Sequence, residues 1–260
     1  AVQVCKHLEL KNIEPHNEKW DSMIANIRRV KDGEVTIAIV GKYVKLEDSY
    51  LSVTESLHHA GFANNVNVNI KYIDCETVTK ENASNILEGI DGIIVPGGFG
   101  NRGIEGKINT IEYARKNNIP FLGICLGMQM AVVEYARNVL GLKDANSEEF
   151  DENCKNQVIH IMDDQKNINK KGGTMRLGKY PCILKKGSLA HELYGKDEIS
   201  ERHRHRFEYN NEYKERLEKA GLMCTGTSPD GRLVEIVELP THPYFIAGQF
   251  HPEFKSRPDR

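Results

Sequence analysis

Cys125 is the residue best placed to do covalent chemistry. It sits in Gly123-Ile124-Cys125-Leu126-Gly127, where the apolar run "PFLGI" gives way to a helical pattern. Gly-x-nucleophile-x-Gly at a strand-to-helix corner is the nucleophile-elbow pattern. Such a corner presents its side chain at the carboxyl edge of a sheet, where open α/β sheets place their ligands. The turn is tight and strained, so its neighbours must be small. The positive end of the following helix also favours a thiolate. A nucleophilic thiol needs a base and a group to orient that base. "GQFHPEF" supplies both: His251 follows an apolar strand pattern, Pro252 fixes the chain, and Glu253 can hold the second imidazole nitrogen. A third element, "PGGFG" (residues 96–100), also closes a strand pattern. Consecutive glycines let backbone N–H groups point at a developing oxyanion. Each element has a plain structural reading: a buried small hydrophobe, a surface turn, a glycine-rich turn. Together they point to acyl transfer by a thiol.

The elements that must position these residues follow a regular rhythm. "VTIAIVG" is a short β-rich apolar run without polar alternation, which predicts a strand buried on both faces, and "VNVNIKYID", "GIIVPGG" and "PFLGI" read as the second, third and fourth strands. Between them lie helical patterns: Val53, Leu57 and Ala60 closed by Gly61, a helix over roughly 80–88, and Ile104, Ile108 and Ile111. Met128, Val132, Tyr135 and Val139 continue the series up to Gly141. After residue 150 the pattern becomes strand-rich, with turns such as Pro229-Asp230-Gly231. The expectation is an α/β fold: an open, mainly parallel sheet with helices on both faces and antiparallel additions in the C-terminal half. Residues 1–33 read as a preface, with a linker and one short helix closed by Gly33, and 34–260 as the catalytic domain.

Composition narrows the function classes. The 260 residues carry 35 Lys and Arg against 37 Asp and Glu, a formal charge of −2. That balance gives no basic excess for nucleic acid. No apolar run approaches the ~18 residues of a membrane span, and the N-terminus lacks a signal-peptide core. The six cysteines are scattered, with no CxxC pair. They imply a reducing, cytoplasmic setting rather than a disulfide framework, and no metal site is expected. The absence of an initiator Met hints at a fragment or a processed chain.

The elbow, "PGGFG" and "HPEF" together resemble the class I, triad-type glutamine amidotransferases. "VPGGFGNRGIEGKI", "PFLGICLGMQMAVVEYARNV", "DANSEEF", "GGTMRLG", "ERHRHRFEYN" and "HPYFIAGQFHPEF" are similar to the glutaminase domains of the CTP synthase family. The likeness runs from about residue 34 to the end, and "CKHLEL" resembles the tail of a preceding synthase domain. The resemblance implies that Cys125 attacks the carboxamide of L-glutamine, that His251 is acid and base, and that Glu253 orients it. It implies an oxyanion hole from Gly98 and the N–H of Leu126, with Gln129, Glu149 and Arg206 on the amino-acid end of glutamine. It places Phe99 and Arg102 near the sensor of GTP as allosteric activator, and makes "GGTMRLG" (172–178) lid-like. ATP, UTP and magnesium would bind an N-terminal synthase domain absent from this chain, in a full-length homotetramer. Such domains usually continue past "FKSRPDR" into a final helix.

Two other readings stand beside this one. A thiol hydrolase such as a γ-glutamyl peptidase would share the triad but not "GGTMRLG" or "DANSEEF". An inactive regulatory or scaffolding module would be free to lose a member of the Cys-His-Glu set. In "RHRHRF", strand alternation puts Arg202, Arg204 and Arg206 on one face and His203 and His205 on the other, and the run reads as a solvated basic strand. "KNINKKGG" reads as a loop.

Overall fold

The structure is a computed structural model that describes residues 2–10, 17–162 and 175–258. In chain order, two N-terminal helices come first, α1 (Val2–His7) and α2 (Glu18–Arg28). The core alternates: β1 (Gly33–Gly41), α3 (Leu51–Asn64), β2 (Val66–Asp74), α4 (Ala83–Ile86), β3 (Gly92–Val95), α5 (Ile104–Lys116), β4 (Phe121–Ile124) and α6 (Leu126–Asn138). The second half holds β5 (Asn146–Ser147), β6 (Gln157–Ile161), β7 (Arg176–Leu184), α7 (Leu189–Tyr194), β8 (Glu198–His205) and β9 (Phe207–Tyr209). It closes with α8 (Lys214–Ala220), β10 (Met223–Thr227), β11 (Val234–Glu238) and β12 (Phe245–Gly248).

Nine strands form one sheet in the order β2-β1-β3-β4-β12-β11-β10-β7-β8. The first five pair in parallel and the other four join antiparallel, as the change of rhythm after residue 150 predicts. β12 is the hinge of this arrangement. It runs parallel to β4 on one side and antiparallel to β11 on the other, so a strand from the end of the chain stands in the middle of the sheet. That places the segment after β12 beside the segment after β4.

Both faces of the sheet are covered. Ala38, Val40, Ile93, Val95 and Phe121 pack with the apolar sides of α5 and α6 in the largest core cluster. Ile39, Ile94 and Ile124 turn the other way and pack with Tyr50 and Val53 beside α3. Successive residues of one strand are thus buried on opposite faces, which is why these strands read as continuous apolar runs.

Four expectations need correction. The helix expected to stop at Gly61 continues to Asn64, and Asn65, at φ 56°, supplies the left-handed cap; Asn tolerates that conformation nearly as well as Gly. The helix expected over 80–88 is a single turn at α4. The preface helix ends at Arg28, and Gly33 opens β1 instead. β5, β6 and β9 form a separate three-stranded sheet, a separation that residue patterns do not encode. The "KNINKKGG" loop and Gly172–Thr174 of the lid-like stretch lie outside the described residues, as does the linker at 11–16.

Candidate active site

Cys125 is the corner between β4 and α6, and its backbone lies at φ 54°, ψ −103°. A non-glycine residue there carries about 1–3 kcal/mol of strain. The surroundings enforce it. The Cys125 N–H donates to the Gly248 carbonyl at 2.7 Å, and its own carbonyl accepts from the Gln129 N–H at 3.2 Å. The flanking glycines are required by close approach. A Cβ on Gly127 would lie 2.0 Å from the Val95 carbonyl oxygen, and one on Gly123 would lie 2.8 Å from Ala247 Cβ. Without them α6 could not seat on the strands and the corner would open.

His251 follows β12 by three residues. Its N–H donates to the Arg202 carbonyl at 2.8 Å, which ties the base to β8. Its Nδ1 lies 2.7 Å from Glu253 Oε1, and the Phe254 ring stacks on the imidazole at 4.8 Å between centroids. The other nitrogen, Nε2, is buried on the side of Cys125 and, among the described residues, meets no partner at full hydrogen-bond geometry. Burial alone would push the imidazole pKa down. The Cys125 side chain and the Glu253 carboxylate override that and raise it to about 10. The imidazolium is therefore the favoured state of His251.

The glycine loop passes over both. A Cβ on Gly97 would lie 2.8 Å from His251 Cε1 and 3.5 Å from Cys125 Cβ, so only a bare backbone fits there. Gly97, Gly98 and Phe99 line a cleft of about 300 Å³ with Cys125, Arg204, His251 and Glu253. Leu126 opens α6 directly behind Cys125, and its Cδ2 would lie 3.7 Å from a Cβ on Gly98.

The remaining site residues fall into two groups. Gln129 sits one turn below Cys125, buried, with Nε2 donating to the Phe207 carbonyl at 2.9 Å and to Gln249 Oε1 at 3.2 Å. Glu149 approaches from the loop after β5, and its Oε1 accepts from the Gly100 N–H at 3.4 Å. Burial raises its carboxyl pKa, while that N–H, Lys42 and Arg206 act the other way. Arg206 is half-buried on the Glu149 side. Phe99 is exposed beneath the Arg204 guanidinium, 5.4 Å from its ring centre. Arg102 donates to the Lys42 carbonyl at 3.0 Å and pairs with Glu76 at 3.3 Å.

The "RHRHRF" stretch corrects the expectation of a solvated strand. Alternation holds, with Arg202 and Arg204 exposed, but His203 and His205 are buried. His203 Nε2 lies 2.7 Å from Glu235 and His205 Nε2 2.8 Å from Glu208, and Arg176 bridges the two carboxylates, at 2.8 Å from Glu235 and 3.1 Å from Glu208. Glu235 of β11 and Arg176 of β7 are distant in sequence; Glu208 of β9 is only three residues from His205, but nothing in the stretch shows that the chain buries the pair. The outward consequence is positional. Backbone carbonyls of this stretch meet three site residues: Arg202 takes the His251 N–H, Arg204 faces Cys125 Sγ at 3.9 Å, and Phe207 takes Gln129.

Three participants were not anticipated. Gln249 Nε2 donates to Cys125 Sγ at 3.6 Å, a partner so distant in sequence that no spacing points to it. Lys42 and Lys107 both reach the glycine loop. "GKY" and "EGKI" carry no sign of that, because a lysine in a helix or strand end ordinarily faces solvent.

Comparison with known proteins agrees with this geometry. The family model described as Glutamine amidotransferase class-I matches residues 45–260. The chain is 61% identical over 257 residues to CTP synthase of Clostridium acetobutylicum and 53% to that of Bacillus subtilis, covering 99% of this chain and 48% of each relative. It thus spans about half the length of the curated relatives it matches. Among solved structures, the glutaminase domain of Trypanosoma brucei CTPS with bound acivicin superimposes with a TM-score of 0.81 at 45% identity, covering 86% of this chain and 88% of that one. The chain belongs to the class-I glutamine amidotransferases and, among them, to the glutaminase domains of CTP synthases.

Proposed function

We propose that this domain hydrolyses L-glutamine through a Cys125-His251-Glu253 triad and delivers the ammonia to a synthase domain that aminates UTP to CTP. The observation that carries the reading is the convergence of a strained thiol after β4 with a carboxylate-held imidazole after β12. Cys125 Sγ attacks the carboxamide carbon, and the carbonyl oxygen becomes an oxyanion facing the Gly98 and Leu126 backbone. His251 donates its proton to the leaving nitrogen, the C–N bond breaks, and ammonia departs from a γ-glutamyl thioester. Water then attacks the thioester, giving its proton to His251, and the thiolate leaves glutamate behind. Glu253 keeps Nδ1 occupied, so Nε2 is the nitrogen that exchanges protons. Glutamine's ammonium calls for a carboxylate and its carboxylate for a donor, the roles of Glu149 and Arg206, with Gln129 beneath.

The half of the relatives outside this chain would bind ATP, UTP and magnesium. Phe99 lines the cleft and Arg102 lies against the ring of Tyr43, which also lines it, and GTP as activator would be sensed by these two. The whole enzyme would work as a cytoplasmic homotetramer. The test is glutamate release from L-glutamine by this chain, alone and with the synthase half restored, against Cys125→Ala. Release that vanishes in the variant is expected. No release by the wild type in either setting contradicts the proposal.

A further inference from the structure

Lys107 projects from α5 into the core and is 0% exposed. A lysine is almost never fully buried without a charged partner. Among the described residues no carboxylate forms an ion pair with Lys107, and its hydrogen bond is a long one, 3.5 Å to the Pro96 carbonyl. Replacing such a buried charge by an apolar side chain of similar volume is often neutral or stabilising. The packing around α5 therefore gives no reason for an ammonium there.

What the ammonium faces is the glycine loop. Its Nζ would lie 3.8 Å from a Cβ on Gly98, and the Cys125 side chain is among the charges that bear on it. A second lysine works from the other end. Lys42 Nζ donates to the Phe99 carbonyl and, at 2.9 Å, to the Gly100 carbonyl. Three carbonyls of one short loop are thus drawn to two ammonium groups. A peptide is planar and its N–H opposes its C=O. Pinning the Pro96 and Phe99 carbonyls therefore turns the Gly97 and Gly100 N–H groups the opposite way, and the latter donates to Glu149. A fixed positive charge under a loop in a dry site lowers the energy of negative charge developing above it, with no reorganisation at the moment of reaction.

We propose that Lys107 is a positioning residue for the Cys125 reaction, its buried ammonium holding the Pro96–Gly100 loop ready for a negatively charged oxygen. This rests on the functional reading above. Burial, above all, lowers the Lys107 pKa to about 8; Lys42 at the end of β1 acts in the same direction, and Cys75 after β2 and Cys125 at the head of α6 oppose it. The charge is therefore lost as pH rises through about 8.

The experiment compares two labelling rates at Cys125 by intact mass. 6-Diazo-5-oxonorleucine places a carbonyl where the glutamine carboxamide would sit, whereas iodoacetamide reports thiol reactivity alone. Their ratio cancels the ionisation of the thiol. Lys107→Met removes the charge and Lys107→Gln removes it while keeping a donor for Pro96. In both variants the ratio is expected to fall about tenfold at pH 7, less than the loss of a direct oxyanion donor because Lys107 acts through the loop. In the wild type the ratio falls as pH is raised through about 8, and in the variants it stays flat. Lys107→Met is expected to melt no lower than the wild type. Wild-type ratios in either variant, or a loss that follows the folded fraction in both, overturn the proposal. No labelling of the wild type by the diazo ketone overturns the functional reading, and this inference with it.

Discussion

His251 is protonated well above its ordinary range because it lies beside the Cys125 thiol and the Glu253 carboxylate, and the sign of that coupling sets what each substitution does. Burial disfavours the imidazolium, and the two partners outweigh it. Removing the thiol in Cys125→Ala should lower the His251 pKa from about 10, read by histidine NMR titration; an unchanged value would uncouple the pair. The same linkage bears on stability. The folded-state pKa is raised above the ordinary ~6.5, so the contribution is complete below that value and is lost as pH rises through about 10. Glu253→Gln should cut glutamine turnover on the order of 10⁴-fold, the scale of losing the group that fixes a triad tautomer, with a smaller effect on KM. The thiol, base and orienter were legible in the sequence because the chain announces them with glycine spacing and a proline. Gln249 and Lys107 were not, since their partners Cys125 and Pro96 are distant in sequence or one helix away in space.

At the scale of elements, the site depends on two supports of different kinds. The first is the elbow. Gly127→Ala drives a methyl group into the Val95 carbonyl at 2.0 Å and should cost more than about 3 kcal/mol in chemical denaturation, the scale of severe overpacking. Near-wild-type stability would mean α6 can shift without loss. The second is β8, which hands backbone carbonyls to His251 and Cys125 and is pinned from behind by His203 and His205, while Phe207 at the head of β9 takes Gln129. Glu235→Ala leaves His203 without its carboxylate and Arg176 with Glu208 alone in the interior, and should cost about 3–5 kcal/mol. It should also slow Cys125 alkylation in the protein that remains folded; unaltered alkylation would show that the pin does not reach the site. The parallel half of the sheet was legible from apolar runs that alternate with helical spacing. The buried histidines read as surface because their carboxylates come from other strands, and the three-stranded side sheet escaped because pairing partners leave no mark on β5, which is two residues long.

At the scale of the molecule, the sheet order matters most. Inserting β12 beside β4 brings residue 251 to residue 125 at the carboxyl ends of parallel strands, the place where such sheets bind ligands. The sequence pointed to both strand ends but not to their adjacency, which requires the crossover itself. The cleft opens on the side of Phe99 and Arg204, both exposed, and the chain spans about half the length of the curated relatives. If the half of the relatives that lies outside this chain completes the site, supplying it should raise glutamate release per Cys125, measured at saturating glutamine; an unchanged rate would make this domain self-sufficient. The central claim is an assembled thiol site shaped for glutamine, and covalent capture tests it most directly. Intact-mass analysis after incubation with 6-diazo-5-oxonorleucine should show one adduct at Cys125, suppressed by excess glutamine and absent in Cys125→Ala. A folded wild-type protein that takes no adduct, or takes one that glutamine does not suppress, would contradict the account.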